Sequence, residues 1–130
     1  MAEAFMQRYG KSKHVIKISY SLEKKPMRTG GAIKYAEESI GYEEPFLVLN
    51  GDIFTTIDYT TLIKKHKQNK AIATIALYRV ADPSRYGTVK LTNQNMITQF
   101  IEKAPPGKAP SNLINAGVYV LDPEIFNHIP

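Results

Sequence analysis

Pro45-Phe46-Leu47-Val48-Leu49 is a short apolar run without polar alternation, and it stops at once in Asn50-Gly51-Asp52. That length and pattern describe a strand covered on both faces, as strands of a parallel sheet are. The Asn-Gly-Asp turn leaves a carboxylate at the strand's carboxyl end. In open α/β sheets ligands gather in the crevice beyond those ends, so Asp52 stands where chemistry is expected. A carboxylate there suits Mg²⁺, a hard cation usually held by one or two carboxylates together with substrate phosphates. On the tripeptide alone a plain turn is the simpler reading; the remainder of the chain shifts the balance.

Upstream, residues 2–10 follow a helical pattern in which Phe5, Met6 and Tyr9 share a face and Gly10 supplies the left-handed stop. His14 to Tyr20 alternates as a strand, with Val15, Lys17 and Ser19 on one side and Ile16, Ile18 and Tyr20 on the other; His14 is a surface residue at its end. Thr29-Gly30-Gly31 then opens a helix carrying Ile33, Ala36 and Ile40, with Thr29 able to cap its start and Gly41 its end. Two glycines at a helix start permit close approach of a phosphate or a base carbonyl to the exposed N–H groups, although a tight loop is the plainer reading. After the Asp52 strand, Asp58 can cap a helix bearing Tyr59, Leu62, Ile63 and His66, with His66 at the edge of the apolar face and without a catalytic role. Ala71 to Tyr78 is a further apolar strand. This alternation of strand and helix argues for α/β with parallel pairing.

The second half changes character. Thr88-Val89-Lys90-Leu91 and Met96 to Glu102 form a hairpin around Thr92-Asn93-Gln94-Asn95. A loop too rich in proline for a sheet interior follows, from Ala104 to Pro110. Leu113 to Leu121 is a strand that carries Asn115 and Gly117 within an apolar run, and Asp122-Pro123 starts a helix.

With 130 residues the chain suffices for one modest domain. It has no cysteine, which removes disulfides and thiolate metal sites and fits a cytoplasmic protein. No segment approaches the ~18 consecutive apolar residues of a membrane span, so no membrane partner is expected. The net charge of +5 concentrates in two lysine clusters, Lys11 to Arg28 and Lys64 to Lys70. Clusters of this kind can attract nucleic acid or phosphorylated small molecules. No recognition helix, aromatic RNA-binding motif or zinc spacing accompanies them, and nucleic acid is not the expected partner.

Five short motifs stand in order along the chain: Thr29-Gly30-Gly31-Ala32, Leu49-Asn50-Gly51-Asp52, Arg85-Tyr86-Gly87, Ile101-Glu102-Lys103, and Asn112-Leu113-Ile114-Asn115-Ala116-Gly117-Val118-Tyr119. In order and spacing they resemble the middle of the catalytic domain of the sugar-phosphate nucleotidyltransferases (NDP-sugar pyrophosphorylases). The wording Asn-Leu-Ile-Asn-Ala-Gly and Asp-Pro-Ser-Arg-Tyr-Gly leans toward the mannose-1-phosphate guanylyltransferases, with the glucose-1-phosphate thymidylyltransferases next. Two positions depart from the family pattern: Arg28 stands where glycine is usual, and Ala104 where proline is usual.

The resemblance implies a Rossmann-like α/β fold, a mixed and mostly parallel sheet flanked by helices, with residues 1–130 a single truncated nucleotidyltransferase domain. It implies nucleotide binding at Thr29, Gly30 and Gly31, and Mg²⁺ at Asp52 bridging the two substrates' phosphates. It further implies sugar binding at Gly87, Glu102, Asn115 and Gly117, and pairing of Lys103 with the sugar-1-phosphate; Asp52 and Lys103 would be the catalytic pair. The implied substrates are a nucleoside triphosphate and a sugar-1-phosphate. Attack of a sugar phosphate on a nucleotide's α-phosphorus gathers anionic oxygens and needs positioning and charge neutralisation rather than a covalent nucleophile, which agrees with these residue types.

The family's first strand, its glycine-rich triphosphate loop and its second metal-binding aspartate have no counterpart within these residues. Weak or absent activity of the isolated chain is therefore expected. A non-catalytic sugar-phosphate-binding, regulatory or oligomerisation module is the rival expectation. Without that first strand the strands at 15–20 and 46–49 either pair directly or leave open edges; an exposed apolar edge is a template for pairing with another chain, and a homo-oligomer or a strand-swapped dimer is expected.

Overall fold

The fold is described from a computed structural model covering residues 2–13, 15–105 and 107–130. His14, read as a strand end, and Pro106 of the proline-rich loop lie outside the described residues. Backbone proximity divides the chain into two units, Met1–Glu44 with Pro123–Pro130, and Pro45–Asp122.

In the first unit, α1 (Ala2–Tyr9) brings the Phe5 and Tyr9 rings to 4.6 Å. It ends at Gly10, whose N–H bonds the Met6 carbonyl at 2.8 Å and whose φ of +60° turns the following chain out of the helix. The long strand expected over residues 14–20 reduces to a two-residue ladder, β1 (Ser12–Lys13) with β2 (Ile16–Lys17). Its alternation sets apolar residues on both sides, yet Val15 is fully exposed and Ile16 is 65% exposed, so burial gives this segment little reason to extend. The next helix is broken in two, α2 (Arg28–Tyr35) and α3 (Glu37–Ile40), and Gly41 ends it as expected, at φ +83°.

Thr29 does not cap α2. The cap position is Met27, whose N–H is accepted by the Glu23 carboxylate at 2.7 Å, and Arg28 turns the chain into the helix at φ +58°. That left-handed backbone is strained for any residue with a Cβ, which accounts for the usual glycine at this position. The expected C-terminal helix is a five-residue 3-10 turn, Pro123–Asn127. Lys34 anchors it, its ammonium donating to the Phe126 carbonyl at 2.8 Å while paired with Glu37 at 2.8 Å. The buried Phe126 ring meets Tyr42 edge-on.

The second unit holds β3 (Phe46–Leu49), α4 (Tyr59–Asn69), β4 (Ala73–Arg79), β5 (Gly87–Leu91), β6 (Ile97–Glu102) and β7 (Leu113–Leu121). They form one sheet in which β7 pairs with β3, β4 and β5, and β6 pairs with β5. Every pairing is antiparallel, which corrects the mostly parallel sheet expected from sequence. β3 and β4 do run in the same direction, as a strand–helix–strand crossover requires. They are separated by β7, a later strand that pairs antiparallel with each. The α/β class stands, with neighbours that alternation alone could not name. As a strand with β7 for its only described neighbour, β3 is half-buried rather than covered on both faces, and Leu49 is exposed.

Asp58 caps α4 as expected, accepting the N–H groups of Thr60 and Thr61 and the Thr61 hydroxyl. The core lies along β5 and β7, with Val89, Val118 and Val120 fully buried. His66 is not at the edge of an apolar face: it is 2% exposed, with Nδ1 2.9 Å from the Thr74 hydroxyl of β4. Among the described residues no helix is long and apolar enough to cross a membrane.

β7 is interrupted by a wide bulge. Between the pairs Ile75–Tyr119 and Leu77–Asn115, β4 advances two residues while β7 advances four. The surplus lies at Ala116 to Val118, and Gly117 there has φ +72°. A Cβ at Gly117 would fall 2.8 Å from the Asn50 side-chain nitrogen.

Two predictions follow from this packing. Burial, only partly opposed by Asp122 and reinforced by Lys67, lowers the His66 pKa below the ordinary histidine value. The unfolded chain therefore takes up the proton first, so the stability contributed by neutral His66 is full above about pH 6.5 and is lost as pH falls through the lowered value. His66→Gln keeps a partner for Thr74 and removes the titration; thermal melts between about pH 7.5 and pH 5.5 flatten relative to the parent. Gly117→Ala combines backbone strain with a collision at Asn50, and urea unfolding reads a loss of about 1–3 kcal/mol.

Candidate active site: the bulge of β7 and the turn after β3

The bulge is held by the polar residue placed just before it. Asn115 Oδ1 accepts the Gly117 N–H at 2.9 Å, and Asn115 Nδ2 donates to the Tyr119 hydroxyl at 2.8 Å. An amide within an apolar strand would otherwise be a costly burial. Here it satisfies the backbone that the bulge takes out of the ladder. The Gly117 carbonyl in turn accepts the Asn50 N–H at 2.9 Å. So the bulge fixes where β3 ends, and the Asn50-Gly51-Asp52 turn leaves the sheet beside it.

A cavity of about 800 Å³ opens at this junction, within the size range of small-molecule sites. Asp52, Asn50, Thr55, Asn115 and Gly117 line it, with Tyr78 and Tyr86 among its aromatic members. Asp52 is exposed and is the sole charged side chain of the lining. With the Asn50 amide oxygen and the Thr55 hydroxyl it offers hard oxygen donors. Among the described residues no three carboxylates or histidines gather. A single carboxylate fits Mg²⁺ shared with substrate phosphates rather than an ion caged by protein alone.

Gly87, Glu102 and Lys103 stand at the end of the β5–β6 ladder. Gly87 pairs with Glu102, and a Cβ at Gly87 would lie 2.6 Å from Glu102 Oε2, so the carboxylate lies over the glycine. The Lys103 N–H donates to the carbonyl of Tyr86, the residue of this segment that lines the cavity. Lys103 has φ +46°. Neighbours in a regular strand point to opposite faces, and a left-handed residue at the strand end breaks that alternation. Tyr86 is itself set by a turn: its N–H bonds the Pro83 carbonyl, and Ser84 donates to Asp82, holding that carboxyl below the usual carboxylate range.

Of the residues singled out in the sequence, Asp52, Asn115 and Gly117 therefore share one cavity, whereas Gly87, Glu102 and Lys103 are not among its lining residues and are tied to it by the backbone bond from Lys103 to Tyr86. Thr29, Gly30 and Gly31 belong to the first unit, in the opening turn of α2, where Gly31 packs on Met27. Phe54, Tyr78 and Ile114 were not anticipated as lining residues. Tyr78 closes an apolar strand and Ile114 precedes Asn115, so alternation offered a signal for both; Phe54 follows a turn and offered none.

The sequence model of the nucleotidyl transferase family matches residues 2–130. A mannose-1-phosphate guanyltransferase of Aspergillus oryzae is 37% identical over 117 residues, covering 88% of this chain and 32% of the relative. The catalytic subunit beta of a mannose-1-phosphate guanylyltransferase of Dictyostelium discoideum is 40% identical over 115 residues, again covering 88% of this chain and 32% of the relative. The chain thus spans about a third of the length of these curated relatives. Among solved structures, a UDP-glucose pyrophosphorylase complexed with UDP-glucose superposes with a TM-score of 0.71 at 29% identity, covering 84% of this chain and 45% of that one. On this evidence the chain belongs to the nucleotidyl transferase family.

Proposed function

We propose that residues 1–130 are one piece of a sugar-1-phosphate nucleotidyltransferase domain, of the mannose-1-phosphate guanylyltransferase kind. The reaction is NTP plus sugar-1-phosphate giving NDP-sugar and pyrophosphate. The observation that carries this reading is the single cavity shared by Asp52, Asn115 and Gly117, with Glu102 and Lys103 on the adjoining ladder end. The similarity to guanyltransferases over most of this chain supports the sugar and base named.

A sugar-phosphate oxygen forms the new bond to the nucleotide's α-phosphorus, and the bond to the departing pyrophosphate breaks. The residues act by holding charge and position. The Lys103 ammonium pairs with the sugar phosphate, and the Glu102 carboxylate, which lies over Gly87, accepts sugar hydroxyls. Asn115 and the Gly117 backbone bound the sugar on the β7 side, while Thr29, Gly30 and Gly31 receive the base. Asp52 would hold Mg²⁺, which supplies neutralisation of phosphate oxygens when bound.

Titration calorimetry tests this assignment. The chain is expected to bind mannose-1-phosphate and to bind GTP in an Mg²⁺-dependent manner. Asp52→Ala removes the Mg²⁺ dependence, and Lys103→Ala weakens mannose-1-phosphate by about tenfold or more. Sugar-phosphate binding without a nucleotide signal would instead mark a non-catalytic binding module. Self-association is part of the same proposal, because β3 has β7 as its only described neighbour and a strand laddered on one side is a template for another chain. Light scattering after size exclusion should read a multiple of the 14.6 kDa chain; a monomer at all concentrations refutes this part.

A further inference from the structure

Phe54 lines the cavity and is 97% exposed. Tyr78 and Tyr86, also in the lining, are 66% and 45% exposed. Single exposed aromatic residues are ordinary. Three on one cavity, facing a carboxylate and a side-chain amide, form a composition that a particular ligand completes. A pyranose has an apolar C–H face and a rim of hydroxyls. The electron-rich faces of aromatic rings attract the first, and the Asn115 amide can bond the second.

The segment that carries Phe54 is also loosely held. Among the described residues, 51–57 make no backbone–backbone hydrogen bond, and the one local tie is the Ile57 N–H to the Thr55 hydroxyl at 3.2 Å. Few backbone bonds and a water-exposed ring characterise segments that rearrange at low cost. The anchor at each end is firm: the Asn50 N–H bonds Gly117, and Asp58 caps α4. The segment can therefore swing without unravelling the sheet.

We propose that Phe54 is the stacking face of the sugar subsite: the 51–57 segment closes over the pyranose of a sugar phosphate and lays the Phe54 ring against its C–H face. This rests on the sugar-phosphate reading given above and adds a sugar-contact residue to it. A nucleobase also stacks on aromatic rings, but Asn115 and Gly117, proposed as the sugar boundary, share this cavity with Phe54.

The chain contains no tryptophan, so Phe54→Trp introduces a single indole reporter. Phe54 packs nothing away from water, and the substitution leaves the core intact, which a thermal melt verifies. Titration with mannose-1-phosphate should shift the indole emission to shorter wavelength and saturate; inorganic phosphate and GMP should leave it unmoved. In calorimetry on the native chain and its variants, Phe54→Ala should weaken mannose-1-phosphate about tenfold, while Phe54→Tyr stays within about twofold of the parent. If the parent binds mannose-1-phosphate but Phe54→Ala binds it equally well, the stacking role is overturned and the proposed function stands. A shift produced by phosphate alone or by GMP overturns it likewise. If the parent binds no sugar phosphate at all, both readings fall together.

Discussion

One side chain, Asn115, decides where the cavity is. By bonding the Gly117 N–H and the Tyr119 hydroxyl it closes a bulge in the longest strand, and the Gly117 carbonyl takes the Asn50 N–H just past the last β3–β7 pair. The turn bearing Asp52 is positioned by that last bond. An apolar residue at position 115 could neither bond the Gly117 N–H nor reach the Tyr119 hydroxyl. The ladder with β4 would tend to close, and the strain at Gly117 would lose its compensation. Asn115 and Gly117 thus both hold the bulge and line the cavity beside it.

The legibility of the fold follows from where information resides. Local signals were readable: Asp58 as a cap, Gly10 and Gly41 as helix stops, the hairpin from Gly87 to Glu102, and the full extent of the strand from Leu113 to Leu121. Strand neighbours were not, because alternation of strand and helix specifies direction and says nothing of a later strand inserting between two earlier ones. His66 illustrates the same limit at one residue. Its place in the helical period was clear, but its burial depends on Thr74 of another element, which offers the hydroxyl that makes burial tolerable.

The site was legible in proportion to how much of it depends on backbone. Gly87 and Gly117 announce themselves as positions where a Cβ would collide, and the Asn-Gly-Asp turn as the break that follows an apolar run. Phe54, Tyr78 and Tyr86 do not, because aromatic residues in a sequence are first counted toward the core, and only coordinates show these three facing a cavity. Arg28 and Lys103 fall between the two. Both adopt left-handed backbone without being glycine, and only Arg28, standing where the family pattern has glycine, gave a sign of it.

The strain at Lys103 bears on what kind of chemistry the site can perform. A reaction among several phosphates needs cations and hydrogen-bond donors gathered from neighbouring positions, and regular secondary structure resists such gathering by sending adjacent side chains apart. The left-handed turn at Lys103 relaxes that rule where β6 ends, and the bulge at Ala116 to Val118 relaxes it within β7. The bulge lines the cavity, and Lys103 is tied to the lining residue Tyr86, whose carbonyl accepts the Lys103 N–H. Such conformations persist only when surrounding bonds over-determine them, and here the bonds to Asn115, Asn50 and Tyr86 supply that determination. The irregular backbone is therefore confined to the end of β6 and the middle of β7, and the paired stretches of β4 with β7 on either side of the bulge hold the latter in place.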